Sequence, residues 1–442
     1  MAISTRIAAV LVQDDRLPTR VEHLLAVGLR EFLTHGYQRT SVEGIGKAAN
    51  VSKQTIYRHF ADKSEILRAI VQQTSSLFET RAVPTPISDG ALAVLAACVL
   101  PVRRSFLAND MLKLFRLSIS LAAQLRELSA TLNGHFVNSL TPINERMIAL
   151  SDAGEIEIGD PLAASAILGV LAVEGTRYLM GFGVNESLSA ASAATADLFL
   201  NGFLGRTSDA WPEFADAFAV EPDSRMSNLH SDLKSYFEGV SELRLREEGL
   251  QRLVAVARKS FFTSGYRNSS LDEIGPEAKV GRGTLYRWFG DKEGLFKVAM
   301  LHAAAEIGAI KMPARKADAP IEQTLTDLAL AISGALVGPT GTGLYRTVIA
   351  EADLYPELGR TVYQLTRARM AAALTYAFAQ TEAGRALTPG QSLWAAMQFI
   401  TLATDGNRYL SLNTRLTVAE RRVLAQRTAR SFLYGHRKLA NR

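Results

Sequence analysis

The chain repeats itself, and a duplicated sequence must fold into two units built on one plan. A shift of 229 positions lays residues 32–63 on 261–292, where 15 of the 32 positions are identical without a gap. The identities include Gly36, Tyr37, Ser41, Ile45, Ala49, Val51, Thr55, Tyr57, Arg58, Phe60, Asp62 and Lys63. Weaker correspondences follow: Phe115-Arg116 with Tyr345-Arg346, Glu127-Leu128 with Glu357-Leu358, Arg177-Tyr178-Leu179 with Arg408-Tyr409-Leu410, and Phe199-Leu200 with Phe432-Leu433. Two modules of roughly 190 residues therefore fill most of the chain. Residues 206–223, with Pro212 and Pro222 among Thr, Ser, Asp and Glu, suit a connection. Residues 224–243 place Met226, Leu229, Leu233, Phe237 and Val240 at helical spacing and predict a helix leading into the second module. Elsewhere Ala- and Leu-rich segments dominate and alternating strand patterns are scarce, so the fold class is all-α.

Several classes fall away. The longest apolar stretches, 91–102 and 161–173, end at Arg103 and Glu174, short of the roughly 20 residues that span a bilayer. No membrane role is expected. The short apolar run 7–12 ends in Gln13-Asp14-Asp15 and does not read as a signal peptide. Cys98 is the single cysteine, which excludes an internal disulfide framework and fits a reducing cytoplasm. The seven histidines are dispersed, without metal-ligand spacing. The glycine-rich stretch 337–343 lacks the Lys-Ser/Thr pair of a phosphate-binding loop and reads as a loop between helices. No cofactor and no enzymatic activity are expected.

Chemistry concentrates in the repeated segment. Leu24, Leu25, Leu29, Phe32 and Leu33 mark one side of an amphipathic helix over 21–33, which Gly36 ends. Thr40-Ser41-Val42-Glu43 predicts a capping box, with Thr40 accepting from a backbone N–H and Glu43 reaching back, at the start of a second, short helix. After a turn at Asn50-Val51, Ser52 is the predicted N-cap of a third helix to about Phe60. On it Ile56 and Phe60 share the buried side, while Lys53 stacks with Tyr57, Gln54 with Arg58 and Thr55 with His59. Two short helices joined by a tight turn, the second with a basic, aromatic and hydrogen-bonding face, match the helix-turn-helix geometry of the DNA major groove. Asp62 then caps a fourth helix. Lys63 in its first turn opposes the helix dipole, which predicts a phosphate partner.

Charge supports the same reading. Residues 16–75 and 244–300 each carry a net +4 against +5 for the chain, leaving −3 on everything else. That concentration supplies the salt-dependent attraction to phosphate.

Gly36-Tyr37, Thr40-Ser41-Val42, Ile45, Ala49, Val51-Ser52-Lys53, Thr55 to Phe60 and Asp62-Lys63 together resemble the DNA-binding domain of the TetR family of bacterial repressors. The resemblance implies two tandem modules, each with a helix-turn-helix domain (16–75 and 244–305) and a helical ligand-binding and dimerisation domain (76–205 and 306–437), joined by 206–243. It assigns DNA contacts to Ser41, Ser52, Lys53, Gln54, Thr55, Tyr57, Arg58, His59 and Lys63. In the second copy it assigns them to Ser270, Arg282, Gly283, Thr284, Tyr286, Arg287, Trp288 and Lys292. It further implies a double-stranded DNA operator, a small-molecule effector and a cytoplasmic, nucleoid-bound regulator, most simply a repressor.

The second copy departs at named positions. Pro276 removes an N–H within the second helix, Gly281 replaces the Ser52 cap, and Gly283 replaces Gln54, a side chain suited to adenine edges. Arg282 is suited to guanine. If the modules pair within one chain, the result is a pseudo-dimer whose operator is asymmetric; further pairing of two chains stays open. The alternative is a sensor or scaffold whose helix-turn-helix units no longer bind DNA.

In the regulatory halves, small residues at Ala163, Ala164, Ala166, Gly169, Ala172 and Gly175 predict one long helix from Asp160-Pro161, and Ala190 to Ala196 a second. Their counterparts are 390–412 and 417–437. Phe115, Arg116, Arg346, Glu351, Asp353 and Asp405 are the candidate ligand residues, weighed against a role in ion pairs and caps, since charged side chains are rarely buried unpaired. Arg177 and Arg408 are expected to bridge helices, and Leu112, Phe115, Phe136, Tyr178 and Phe182 to sit in the core.

Overall fold

The computed structural model describes residues 20–73, 85–122, 125, 127, 129–131, 134, 140–183, 187–207, 211–214, 247–314, 319–411 and 416–437. The helix predicted at 224–243, and Phe136, lie outside these residues. Among the described residues the regular elements are helical, with one isolated bridge between Ile156 and Arg437.

The two modules open on the same series of helices and are given in chain order for the described residues. The first has α1 (Arg20–Arg39), α2 (Val42–Ala49), α3 (Lys53–His59), α4 (Lys63–Gln73), α5 (Ala91–Phe106), α6 (Asn109–Leu121), α7 (Thr141–Asp152), α8 (Pro161–Ala172), α9 (Thr176–Leu179) and α10 (Leu188–Asn201). The second has α11 (Glu247–Asn268), α12 (Leu271–Glu277), α13 (Arg282–Phe289), α14 (Lys292–Gly308), α15 (Ile321–Leu336) and α16 (Pro339–Ala350). It continues with α17 (Pro356–Tyr363), a π-helical turn (Gln364–Ala368), α18 (Arg369–Ala379), α19 (Glu382–Arg385), α20 (Pro389–Ala403), α21 (Arg408–Ser411) and α22 (Val418–Tyr434).

Local chemistry sets these boundaries. Asp160 accepts from the backbone N–H groups of Leu162 and Ala163, and Pro161 fills the first position of α8, where a missing N–H costs nothing. Thr388 with Gln391 and Thr417 with Glu420 form reciprocal capping boxes on α20 and α22.

Two sequence expectations need correction. The long helices expected at 160–175 and 390–412 are each broken, into α8 and α9 and into α20 and α21. In the second break Asp405 and Gly406 take left-handed backbone angles, with φ of 50° and 67°, which ends the helix. The stretch 337–343 is not a loop: Pro339 opens α16 at its first helical position, and Gly341 and Gly343 lie inside that helix.

The cores divide unevenly. Leu25, Phe32, Ile45, Ile56 and Ile66 of the first helix-turn-helix domain pack with Leu114 and Leu117 of α6 in a cluster of their own. In the second module Phe261, Ile274, Leu285 and Phe296 belong to one continuous core with Leu344, Val348 and the regulatory helices. Burying each such side chain stabilises the fold by about 1.5–3 kcal/mol.

Equivalent helices meet across the seam between modules: α6 packs on α16, α8 on α20 and α10 on α22. Where α10 and α22 end, Gly202 and Gly435 lie against each other with φ of 69° and 63°. A Cβ on Gly202 would stand 2.5 Å from the Gly435 nitrogen, so only glycine allows the approach. Phe199 stacks on His436 at 4.5 Å and Phe203 on Phe432 at 5.3 Å, a pair of contacts related by the repeat. Backbone N–H groups of Leu204 and Arg437 donate to the carbonyls of Leu433 and Leu200, again in reciprocal positions.

Candidate nucleic-acid interface

The first helix-turn-helix is held by caps and one close backbone approach. Ser41, not Thr40, caps α2, accepting from the Gly44 N–H at 2.9 Å. Thr40 is buried and donates its hydroxyl to the Gly36 carbonyl at 2.9 Å, tying the turn to the end of α1. Glu43 does not reach back as a capping box requires; its carboxylate pairs with Lys53. In the turn itself, a Cβ on Gly46 would meet Ile56 Cδ1 and the Val51 carbonyl, each at 2.9 Å, so α3 can cross α2 only over a glycine. Gly275 has the same role beneath Leu285 and Val280.

Ser52 caps α3, accepting from the Thr55 N–H at 3.2 Å. That leaves Ile56 buried below and Lys53, Gln54, Tyr57, Arg58 and His59 exposed, with Thr55 half-buried. Lys53 Nζ sits 5.6 Å from the Tyr57 ring centroid. In the second module Arg282 stands 5.5 Å from the Tyr286 ring, Arg287 is exposed and Thr284 half-buried. Ser270 caps α12 and Gly281 caps α13 without a side-chain bond. α12, which carries Pro276 inside it, is one residue shorter than α2.

Trp288, assigned to DNA contact, is instead buried in the second module's core. A large apolar ring at the edge of a helix gains more from the core than from water. Its counterpart His59 stays on the surface.

The two lysines have partners within the chain. Lys63 Nζ donates to the Tyr37 carbonyl at 2.7 Å and stands 4.2 Å from that ring; burial there lowers its pKa below the ordinary lysine value. Lys292 donates to the carbonyls of Arg267 and Ser269 at 3.3 and 3.1 Å and lies 4.7 Å from the Tyr266 ring. Each lysine thus meets backbone carbonyl oxygen at or just past the C-terminal end of the preceding long helix, which accounts for its place in a first turn without a phosphate.

Sequence reasoning missed one shared device. Lys53 is paired with Glu43, and Arg282 with Asp272 at 3.2 Å. The hydrogen bond from Lys53 holds the Glu43 carboxyl below its usual range. An acidic residue ten positions before the basic one, in both copies, was the available signal.

A family model of bacterial regulatory proteins, tetR family, matches residues 24–70 and again 253–299, and the C-terminal domain of AefR-like transcriptional repressors matches 323–435. The chain belongs to the TetR family, as two modules in tandem. It is 34% identical over 67 residues to the DNA-binding transcriptional repressor TetR of Mycobacteroides abscessus, covering 15% of this chain and 35% of that protein. It is 42% identical over 55 residues to the regulator AcrR of Shigella flexneri, covering 12% of this chain and 26% of that protein. The chain thus spans about a third or less of the length of these relatives. A TetR transcriptional regulator from Agrobacterium tumefaciens aligns over 40% of this chain and 90% of its own, with a TM-score of 0.36 and 20% identity. No single helix among the described residues is long and apolar enough to cross a membrane.

In this TetR-family tandem the candidate ligand residues hold the frame together. Arg116 donates to the carbonyls of Leu179 and Tyr178 at 2.8 and 2.7 Å and to the Asp353 carboxylate of the other module. Arg346 repeats the pattern with the carbonyls of Leu410 and Tyr409, at 2.7 and 3.2 Å. Glu351 pairs with Arg267 at 3.3 Å; burial raises its pKa and Arg267 opposes the rise. Phe115 packs on Phe106 at 5.0 Å, while Arg408 pairs with Asp405 and Arg177 with Glu174. Four of these residues nevertheless line open clefts at the seam. Arg346 and Glu351 face a shallow one between the ends of α1 and α11, and Arg116, Glu351 and Asp353 face another beside it.

Proposed function

We propose that the chain is a ligand-responsive transcriptional regulator, acting as a repressor, in which the two modules form a single-chain pseudo-dimer on an asymmetric operator. The carrying observation is the reciprocal seam at Gly202 and Gly435 in a chain whose two recognition surfaces differ. In this reading Lys53, Gln54, Thr55, Tyr57, Arg58 and His59 read one half-site. Arg282, Thr284, Tyr286 and Arg287 read the other, with Gly283 leaving room for close approach. Ser41, Ser52 and Ser270 present helix N-termini to phosphate. Lys63 and Lys292 keep that corner rigid and contribute charge.

Both recognition helices must meet successive major grooves about 34–36 Å apart. The clefts at Arg116, Arg346, Glu351 and Asp353 lie between the two helix-turn-helix units, so a small molecule wedged there would change that spacing. A site footprinted on the chain's own upstream DNA, followed by swapping Lys53-Gln54 with Arg282-Gly283, tests the reading. The swap should exchange the preferred orientation of the site. A strict palindrome indifferent to the swap would refute it.

A further inference from the structure

The turn between α16 and α17, residues 351–355, holds two different parts of the molecule at once. Glu351 and Tyr355 bind the second helix-turn-helix domain. The Glu351 carboxylate, 6% exposed, pairs with Arg267 in the last turn of α11 at 3.3 Å. The Tyr355 hydroxyl lies 3.2 Å from both the Tyr266 hydroxyl and the Glu293 carboxylate, and the two tyrosine rings are perpendicular at 5.7 Å. Between these residues, Ala352 and Asp353 meet the first module. Asp353 accepts from Arg116 of α6, and a Cβ on Gly181 would stand 3.0 Å from the Ala352 carbonyl oxygen.

The groups gripped by this turn are the ones that seat the second reading head. Tyr266 and Arg267 lie just before Ser270, the cap of α12. Lys292 lies over the Tyr266 ring and donates to the carbonyls of Arg267 and Ser269, with Glu293 beside it in the first turn of α14. Hydrogen bonds and ion pairs fix a direction, whereas apolar packing does not. The first module has a different turn. In the alignment that pairs Phe115-Arg116 with Tyr345-Arg346, residues 121–125 correspond to 351–355 and read Leu, Ala, Ala, Gln and Leu. None of them carries a charge or a hydroxyl. Gln38 stands for Arg267 and Ser64 for Glu293, while Leu117 and Leu121 pack into the apolar core of the first head.

We infer that Glu351, Asp353 and Tyr355 are positioning residues for DNA reading by the second head alone, and that the first module sets their position across the seam through Arg116. One head is thus steered by the partner module, and the other is seated by apolar packing. This goes beyond the pseudo-dimer reading and rests on it only for the effect on DNA.

The test uses the full chain without effector, comparing amide hydrogen exchange of the free protein with a footprint on its own upstream DNA. Asp353→Ala removes the tie to Arg116 from an exposed side chain, so the fold should persist. Exchange in α12 and α13 should become severalfold faster while α2 and α3 keep their rates, and protection should weaken on the Arg282 half-site and not on the Lys53 half-site. Tyr355→Phe should act in the same way, whereas Asp353→Glu, which keeps the carboxylate, should behave as the parent chain. Arg116→Gln separates the inference from a merely structural loss. It lies on α6, whose Leu114 and Leu117 belong to the first head's core, so a local defect would loosen the first head, while the inference has it loosen the second. Should Arg116→Gln not fold, Asp353→Ala and its glutamate rescue decide. Equal changes in both heads, a change in the first head only, or no change in either would overturn the inference. Faster exchange confined to α12 and α13 in a chain that gives no sequence-specific footprint would uphold the positioning role and refute the operator reading. A two-part footprint that none of the variants alters would do the reverse.

Discussion

The two recognition helices descend from one sequence but present different surfaces. On α3 the series Lys53, Gln54, Tyr57, Arg58 and His59 is exposed; on α13 Gly283 has no side chain and Trp288 has turned inward. The first domain packs in a cluster of its own with α6, whereas the second shares one core with its regulatory half. A duplicated reading head can thus diverge while its scaffold persists. Glycine at Gly46 and Gly275, serine caps at Ser41 and Ser270, and a lysine–carbonyl tie at Lys63 and Lys292 recur in both. The side chains that α3 and α13 expose do not.

The sharpest break in the comparison is thermodynamic. Trp288→Ala should cost about 3–5 kcal/mol of stability by denaturant unfolding, while His59→Ala should stay within about 0.5 kcal/mol and affect DNA binding instead. Next in size, Gln54→Ala and Arg282→Ala should each weaken operator binding by about 1–3 kcal/mol in titrations. Their footprints should change on opposite halves of the site. Smaller still, Ser52→Ala should cost about 1 kcal/mol, and Gly281→Ser should change stability by only a few tenths, because glycine is nearly as good a cap. Least of all, Glu43→Gln or Asp272→Asn should raise DNA affinity a few-fold at low salt by freeing Lys53 or Arg282, an advantage that added salt removes.

Much of this was legible in the sequence because helix period and caps are local. Ser52, Asp62, Asp160 and Thr417 each announce a helix start within four residues, and Ile56 declares the buried face of α3. What depended on distant packing was not legible. Trp288 occupies a position that the pattern alone assigns to the surface, and only the neighbouring core draws it in. Lys63 stands against its own helix dipole, but the carbonyl that receives it, that of Tyr37, belongs to another helix 26 residues earlier. Arg116 and Arg346 stood out as charges in apolar helices; their partners are backbone carbonyls 62–64 residues away, beyond any spacing rule.

The account rests on one chain carrying both halves of the reading head, and the mass of its complex with DNA tests this most directly. Native mass spectrometry of the full chain with a duplex from its own upstream region should show one chain per operator. Two chains per operator as the smallest complex, or none at low salt, would contradict it.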